Sequence, residues 1–303
     1  MRFGSAIAAT LLLPLISAAS NPVRLQPAGP WNLEYAENSC RLIRVFGEGK
    51  SKTILQIEGS APSDLDILAT GRPLYSSSQR VNARFIPVGA KTFDGEVFEA
   101  AKTRHPAIVW SRVRLFPDSF YDAQEEEWKK TDARLRPPAQ SLADQAFFKA
   151  QRLAFAEAAT ALEIQNRRSR PVILETGSMG KPIRMIDSCL RDSLKDWGVD
   201  PALDEKIVRS VWSAHPSLMF SSGDYPPGML NAGQQADVSI RLLVDATGRV
   251  AKCTATSQFV ETGFNAATCK IVTKRAMFEP AELADGTKVP SYYLRRIKFR
   301  IEP

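Results

Sequence analysis

Val238-Ser239-Ile240-Arg241-Leu242-Leu243-Val244, running into Asp245-Ala246-Thr247-Gly248-Arg249-Val250, is the stretch whose reading decides the fold. Val238, Ile240, Leu242 and Val244 alternate with Ser239, Arg241 and Leu243, the period of two that marks a half-buried strand. Asp245 to Gly248 is a tight turn, with Gly248 free to take positive φ. A second strand is expected from Arg249 to Ser257. A helix follows over Thr262 to Met277, with Phe264, Ala267, Thr268 and Ile271 on one face. Phe278-Glu279-Pro280-Ala281 ends it, and Asp285-Gly286 turns the chain into a last strand, Ser291 to Ile301. There Ile297, Phe299 and Ile301 point one way and Arg296, Lys298 and Arg300 the other. Ahead of the first strand, Tyr225-Pro226-Pro227 starts a short helical segment through Leu230.

Further upstream, residues 198–224 read as a junction between domains. Before them Ile183, Ile186, Leu190, Leu194 and Trp197 fall at offsets of 0, 3, 7, 11 and 14. That is one continuous apolar stripe on a helix beginning near Ser178, with Gly198 at the position that ends it. Cys189 borders the buried face, and Asp200-Pro201 opens a further short helix. Val172-Ile173-Leu174 reads as a strand. Ser141-Leu142-Ala143-Asp144 has the form of a capping box, with Asp in place of the usual Glu. Behind it Phe148, Phe155, Ala159 and Leu162 share one helical face. Pro137-Pro138 breaks the chain after a charged segment, 119–136, where a short helix is expected around Glu125–Lys130. Residues 22–115 alternate short apolar runs with turn signals. Strands are expected at Cys40–Phe46, Thr53–Ile57, Val81–Val88, Glu96–Ala100 and Ala107–Leu115, forming a largely antiparallel sheet.

The 303 residues leave room for two domains, and 44% apolar with 24% charged residues is a globular balance. The net charge of +7 is spread, with Lys and Arg interleaved among Asp and Glu. A nucleic-acid binder concentrates its basic residues on one face, so no nucleic-acid partner is expected. At the N-terminus, Arg2 precedes an apolar stretch, Ala6 to Ile16, and then Ser17-Ala18-Ala19. This is the pattern of a secretory signal peptide, residues 1–19, cut after Ala19. The alternative is an uncleaved inner-membrane anchor, but the run is shorter than the ~20 residues a spanning helix needs. Cys40, Cys189, Cys253 and Cys269 form no C-x-x-C pair, and the only histidines are His105 and His215. No metal site is expected from such spacing, and an even cysteine count in an oxidising compartment reads as disulfides with three connectivities open.

A Tyr-Pro helix start, a strand reading V-x-I-x-L-x-V-D, the turn A-T-G-R-V, a helix, then F-x-P-A, D-G and a final F-x-x-x-Pro strand together resemble the TonB C-terminal domain. The matching stretches are Tyr225-Pro226, Val238–Val250, Phe264–Ala281 and Asp285–Pro303, within residues 215–303. The extra pair Cys253/Cys269 resembles family members from exported proteins. A helix packed on the strand's inner face would bring the two within bonding range, and such a bridge contributes on the order of 3 kcal/mol. Cys40 and Cys189 are then left to pair. The resemblance also implies a function: such domains receive a short extended segment of an outer-membrane receptor. The edge of a last strand offers unpaired N–H and C=O groups for such an addition. The expected partner-binding residues are Ser291, Tyr293, Arg295, Arg296, Ile297, Lys298 and Phe299, mostly through backbone atoms. The chain departs from an energy transducer in having a globular N-terminal half where the family carries a membrane helix and a Pro-rich spacer.

Ser178-Met179-Gly180-Lys181 matches S-x-x-K, the nucleophile motif of penicillin-recognising enzymes, but the partner motifs S-D-N and K-T-G are absent. A helix N-cap at Ser178 is the expected role, and neither histidine lies in a recognisable catalytic context. No P-loop or G-x-G-x-x-G is present. The expectation is therefore an α+β protein without catalytic residues or cofactor. A signal peptide (1–19) precedes an N-terminal mixed sheet-and-helix domain (22–200). A small TonB-like domain (210–303) follows, a three-stranded antiparallel sheet with a helix. The leading function is a periplasmic protein that binds envelope proteins by strand addition, tied to TonB-dependent transport across the outer membrane. The alternatives are a structural envelope protein touching cell-wall polymer, and a serine hydrolase using Ser178 and Lys181.

Overall fold

The structure is a computed structural model. It describes residues 21–62, 64–75, 78–86, 92–98, 105, 107–117, 119–120, 122, 126, 129–130, 135–165, 170–213, 219–257 and 260–301. The signal-peptide segment 1–19 and His215 lie outside the described residues, as do 125, 127 and 128 of the helix expected around Glu125–Lys130, where Glu126, Lys129 and Lys130 are helical.

The chain is α+β, and its apolar residues gather in two cores. The first belongs to one large sheet of β1 (Val23–Leu25), β2 (Asn32–Tyr35), β3 (Cys40–Phe46), β4 (Thr53–Ala61), β5 (Asp64–Gly71), β6 (Arg80–Ile86), β7 (Phe93–Phe98), β8 (Ala107–Val113), β9 (Ala161–Gln165) and β10 (Val172–Leu174). Their order is β1-β10-β9-β6-β7-β8-β5-β4-β3-β2, antiparallel except between β1 and β10. The residues just after β1 then run beside the far end of β3. The Ala28 N–H donates to the Val45 carbonyl and the Gly47 N–H to the Gln26 carbonyl, both at 2.8 Å. These bonds bring the two ends of the strand order together, so the sheet closes as a barrel.

Alternation sorts the side chains. Leu55 and Ile57 of β4, Leu65 and Ile67 of β5, and Leu162 and Ile164 of β9 point into the core, while Gln56, Glu58 and Asp66 stay on the outer wall. Helices α1 (Leu142–Ala158) and α2 (Gly180–Asp196) pack with this half. The stripe Ile183, Ile186, Leu190 and Leu194 enters the core, and a disulfide joins Cys189 of α2 to Cys40 of β3. The Ser141 capping box is present: Asp144 N–H donates to Ser141 Oγ at 3.1 Å and Ser141 N–H to Asp144 Oδ2 at 3.2 Å. One expectation is corrected. Helix α1 ends at Ala158, and Leu162 lies in β9, opposite Phe85 and Leu174. Strand pairing on both sides overrides the helical spacing that linked Leu162 to Phe155.

The second core belongs to the C-terminal part. Here β11 (Ile207–Arg209), β12 (Ala236–Val244), β13 (Val250–Ala255), β14 (Ala281–Leu283), β15 (Lys288–Val289) and β16 (Ser291–Phe299) form two small sheets, ordered β11-β14-β15 and β13-β12-β16. Helices α3 (Pro201–Asp204), α4 (Pro227–Asn231) and α5 (Thr262–Arg275) accompany them. The three-stranded antiparallel sheet packs Val238, Ile240, Leu242 and Val244 against Phe264 and Val272 of α5. Tyr225, Phe264 and Phe299 meet with ring centroids 5.0 to 5.9 Å apart. A second disulfide ties Cys253 of β13 to Cys269 of α5. At the β12–β13 turn Gly248 takes φ 85°, and a Cβ there would fall 1.9 Å from the Phe278 carbonyl oxygen. The turn is pressed backbone to backbone against the next segment, and only glycine fits. Among the described residues, no helix is long and apolar enough to cross a membrane.

Candidate functional site

β16 is the element that carries the expected partner-binding residues, and its register with β12 fixes where each side chain goes. Nine consecutive pairs run from Val244 with Ser291 to Ala236 with Phe299. Ser291, Tyr293, Arg295, Ile297 and Phe299 therefore share the face that α5 covers, beside Val244, Leu242, Ile240, Val238 and Ala236. Ser291, Ile297 and Phe299 are buried, and Tyr293 packs on Phe278 with centroids 4.7 Å apart. These side chains hold the strand in place. Arg295 is half-buried and Lys298 exposed.

The opposite row of the sheet, Asp237, Ser239, Arg241 and Leu243 with Tyr292, Leu294, Arg296 and Lys298, faces the barrel. Leu243 and Tyr292 pack onto the barrel core. Arg241 is the anchor of the seam. It is 5% exposed, its guanidinium lies 3.5 Å from the centre of the Trp197 ring, and Nη1 donates to the carbonyls of Ser60 (2.6 Å) and Asn38 (2.9 Å). Burial pushes this guanidinium down to about 10, partly offset by Tyr292, so it stays charged at neutral pH. At the other end of the seam Asp237 pairs with Arg296 and, at 2.8 Å, with Arg300, while Arg296 also reaches Glu96 of β7 at 3.9 Å.

One face of the sheet is thus covered by α5 and the other by the barrel, which leaves the strand edges. Among the described strands β16 has a single neighbour, β12, and so does β13 on the other side. The two edges differ. β16 offers nine residues in unbroken register, whereas β13 is shorter and shifts register between Leu243 and Val244. A peptide adding along β16 meets a straight row of backbone groups; one adding along β13 meets a bulge.

The residues weighed for catalysis lie apart from this edge. Ser178 Oγ donates to the Glu157 carbonyl at 2.9 Å and accepts from the Gly180 N–H at 3.4 Å. The N-cap residue of α2 is Met179, one place later than expected, and Lys181 is exposed. His105 lies two residues ahead of β8, and its carbonyl accepts from Thr70 Oγ1 at 3.4 Å. Sequence reading missed Arg241 and Asp237 as seam residues. The available signal was a charged residue at each of two places in the most regular strand of the chain.

Residues 222–301 match a family model described as Gram-negative bacterial TonB protein C-terminal. No curated protein and no solved structure matches the chain. The matched span takes in α4, the β13-β12-β16 sheet with its helix, and both short strands between them, and it is over this span that the chain is similar to the C-terminal domain of Gram-negative bacterial TonB proteins.

Proposed function

We propose that this is an envelope protein that binds extended segments of other envelope proteins by strand addition along β16, with the backbone of residues 293–299 as the pairing edge. The observation that carries the reading is the nine-residue register of β16 with β12 on one side and no neighbouring strand described on the other. A peptide held in this way gains main-chain hydrogen bonds that do not depend on its side chains. Arg295 and Lys298 tune the choice of partner. The family match favours the terminal segment of an outer-membrane receptor as that partner, and hence a place in TonB-dependent transport. In this reading residues 1–19 direct export to the periplasm, 22–200 and 210–303 act as two domains, and neither a cofactor nor a catalytic residue is required.

The test is amide hydrogen exchange of the mature protein with and without a receptor-derived extended peptide. Protection should rise at alternate amides of residues 293–299. Tight binding with no change there would refute the β16 edge, and absence of binding would favour a structural role in the envelope. Ser178→Ala should leave peptide binding unchanged and cost about 1 kcal/mol of stability, since its hydroxyl serves the Glu157 carbonyl and the start of α2.

A further inference from the structure

The C-terminal sheet covers the barrel's outer wall over only part of its length. Gln56 and Leu68, opposite each other on β4 and β5, line the seam; the next outward pair, Ile54 and Thr70, does not. Beyond that point the wall opens into a concavity of about 690 Å³, whose lining includes Lys50, Lys52, Arg72 and His105. We propose that this concavity is a binding site for a phosphate group, carried by a soluble phosphoester or by an anionic lipid headgroup.

Three observations converge on it. The first is charge. The charged residues of the lining, Lys50, Lys52 and Arg72, are all cationic, and among the described residues they enter no ion pair. Elsewhere on the barrel Arg24, Arg41 and Arg84 each have a carboxylate at 3.0 Å or closer. Three uncompensated charges in one concavity repel one another, and a bound anion relieves that repulsion.

The second is rigidity. Lys50 lies in a 3-10 turn, Gly49–Ser51, and Arg72 opens another, Arg72–Leu74. The two turns are locked together, because a Cβ on Gly71 would fall 2.7 Å from the Lys52 carbonyl oxygen. The cations therefore project from a fixed backbone frame, which lowers the ordering cost of binding. Arg72 brings a planar fork suited to two phosphate oxygens, and the lysines bring point charges. The third is the floor: Ile54 is 36% exposed here and offers a surface to the uncharged part of a ligand.

This inference does not depend on strand addition at β16. The test uses the mature full-length chain. Calorimetry with pyrophosphate probes a soluble phosphoester, and co-sedimentation with phosphatidylglycerol against phosphatidylcholine vesicles probes a headgroup. The wild-type chain should bind one or both anionic probes, more tightly at low salt. The double variant Lys52→Ala/Arg72→Ala should lose at least about tenfold in affinity, since each charge-assisted contact is worth roughly that much. Both side chains are exposed and pair with nothing described, so the fold should survive, as circular dichroism will check. Binding of pyrophosphate alone assigns the site to a soluble ligand, and binding of anionic vesicles alone to a headgroup. Failure of both probes overturns the proposal. So does an affinity unchanged in the double variant, or an equal loss in Lys274→Ala on α5, which would mark general basic charge.

Discussion

Arg241→Ala should cost about 3–4 kcal/mol and loosen the C-terminal sheet from the barrel. The magnitude follows from what the side chain does. Two charge-assisted hydrogen bonds, to the Ser60 and Asn38 carbonyls at 2.6 and 2.9 Å, contribute roughly 1.5–3 kcal/mol each. Stacking 3.5 Å over Trp197 in a desolvated seam adds about 2 kcal/mol. Against this stands the cost of taking a guanidinium out of water, several kcal/mol for a buried ion, visible in the downward push on its pKa. Truncation recovers that cost but strands two part-buried carbonyls, each at the lower end of roughly 1–3 kcal/mol. The net loss is a large share of the 5–15 kcal/mol typical of a folded domain. Arg241→Met keeps the stem on Trp197 and strands the same carbonyls, so its loss should be smaller but of the same kind. Urea unfolding followed by far-ultraviolet circular dichroism and by tryptophan fluorescence measures both variants. The wild type should unfold with the two probes together, and Arg241→Ala should separate them as the two cores uncouple. A loss under about 1 kcal/mol, with the probes still coincident, would refute the assignment of Arg241 as the anchor.

Two further outcomes are expected. Gly248→Ala should destabilise the C-terminal part by about 3 kcal/mol or more, measured by thermal melting. It forces a Cβ into the Phe278 carbonyl oxygen at a φ of 85°, a left-handed conformation that alone costs roughly 1–2 kcal/mol, and so breaks the Phe278 N–H to Gly248 carbonyl bond. Asp224 should make stability fall in acid: hydrogen bonds from Arg275, then from Ser221, hold its carboxyl down from an ordinary 3.8 to about 2. A depressed carboxylate contributes fully above its unfolded pKa and loses that contribution as pH drops through the folded one. The melting temperature should decline between about pH 4 and pH 2, and Arg275→Gln should flatten that decline; an unchanged slope would contradict the pairing.

Local pattern carried much of the fold. The alternation of 238–244, the Asp245–Gly248 turn and the stripe from Ile183 to Leu194 each encode an element within one stretch of chain, because side-chain period follows directly from backbone geometry. Elements whose pattern is weak escaped. β1 has only three residues, and β5 (Asp64–Gly71) reads as polar because its outward row holds Asp66 and Thr70. Leu162 kept helical spacing with its predecessors while its partners, Phe85 and Leu174, lie in other strands.

The sequence by itself determined the strand-turn-strand-helix-strand order of the C-terminal part and the alternating core residues of β12; on α5 it found Phe264 and Thr268, but Val272 is the buried residue where Ile271 was expected. Only the tertiary structure decided that the barrel closes through residues 26–28, that the outer face of the C-terminal sheet is covered, and that β12 is the one neighbour of β16 among the described strands. Those outcomes rest on contacts such as Arg241 with Asn38 and Ser60, separated by 203 and 181 positions. A periodic pattern tells a side chain which face it occupies, but the surface that face will meet is supplied by residues too far along the chain for local spacing to specify.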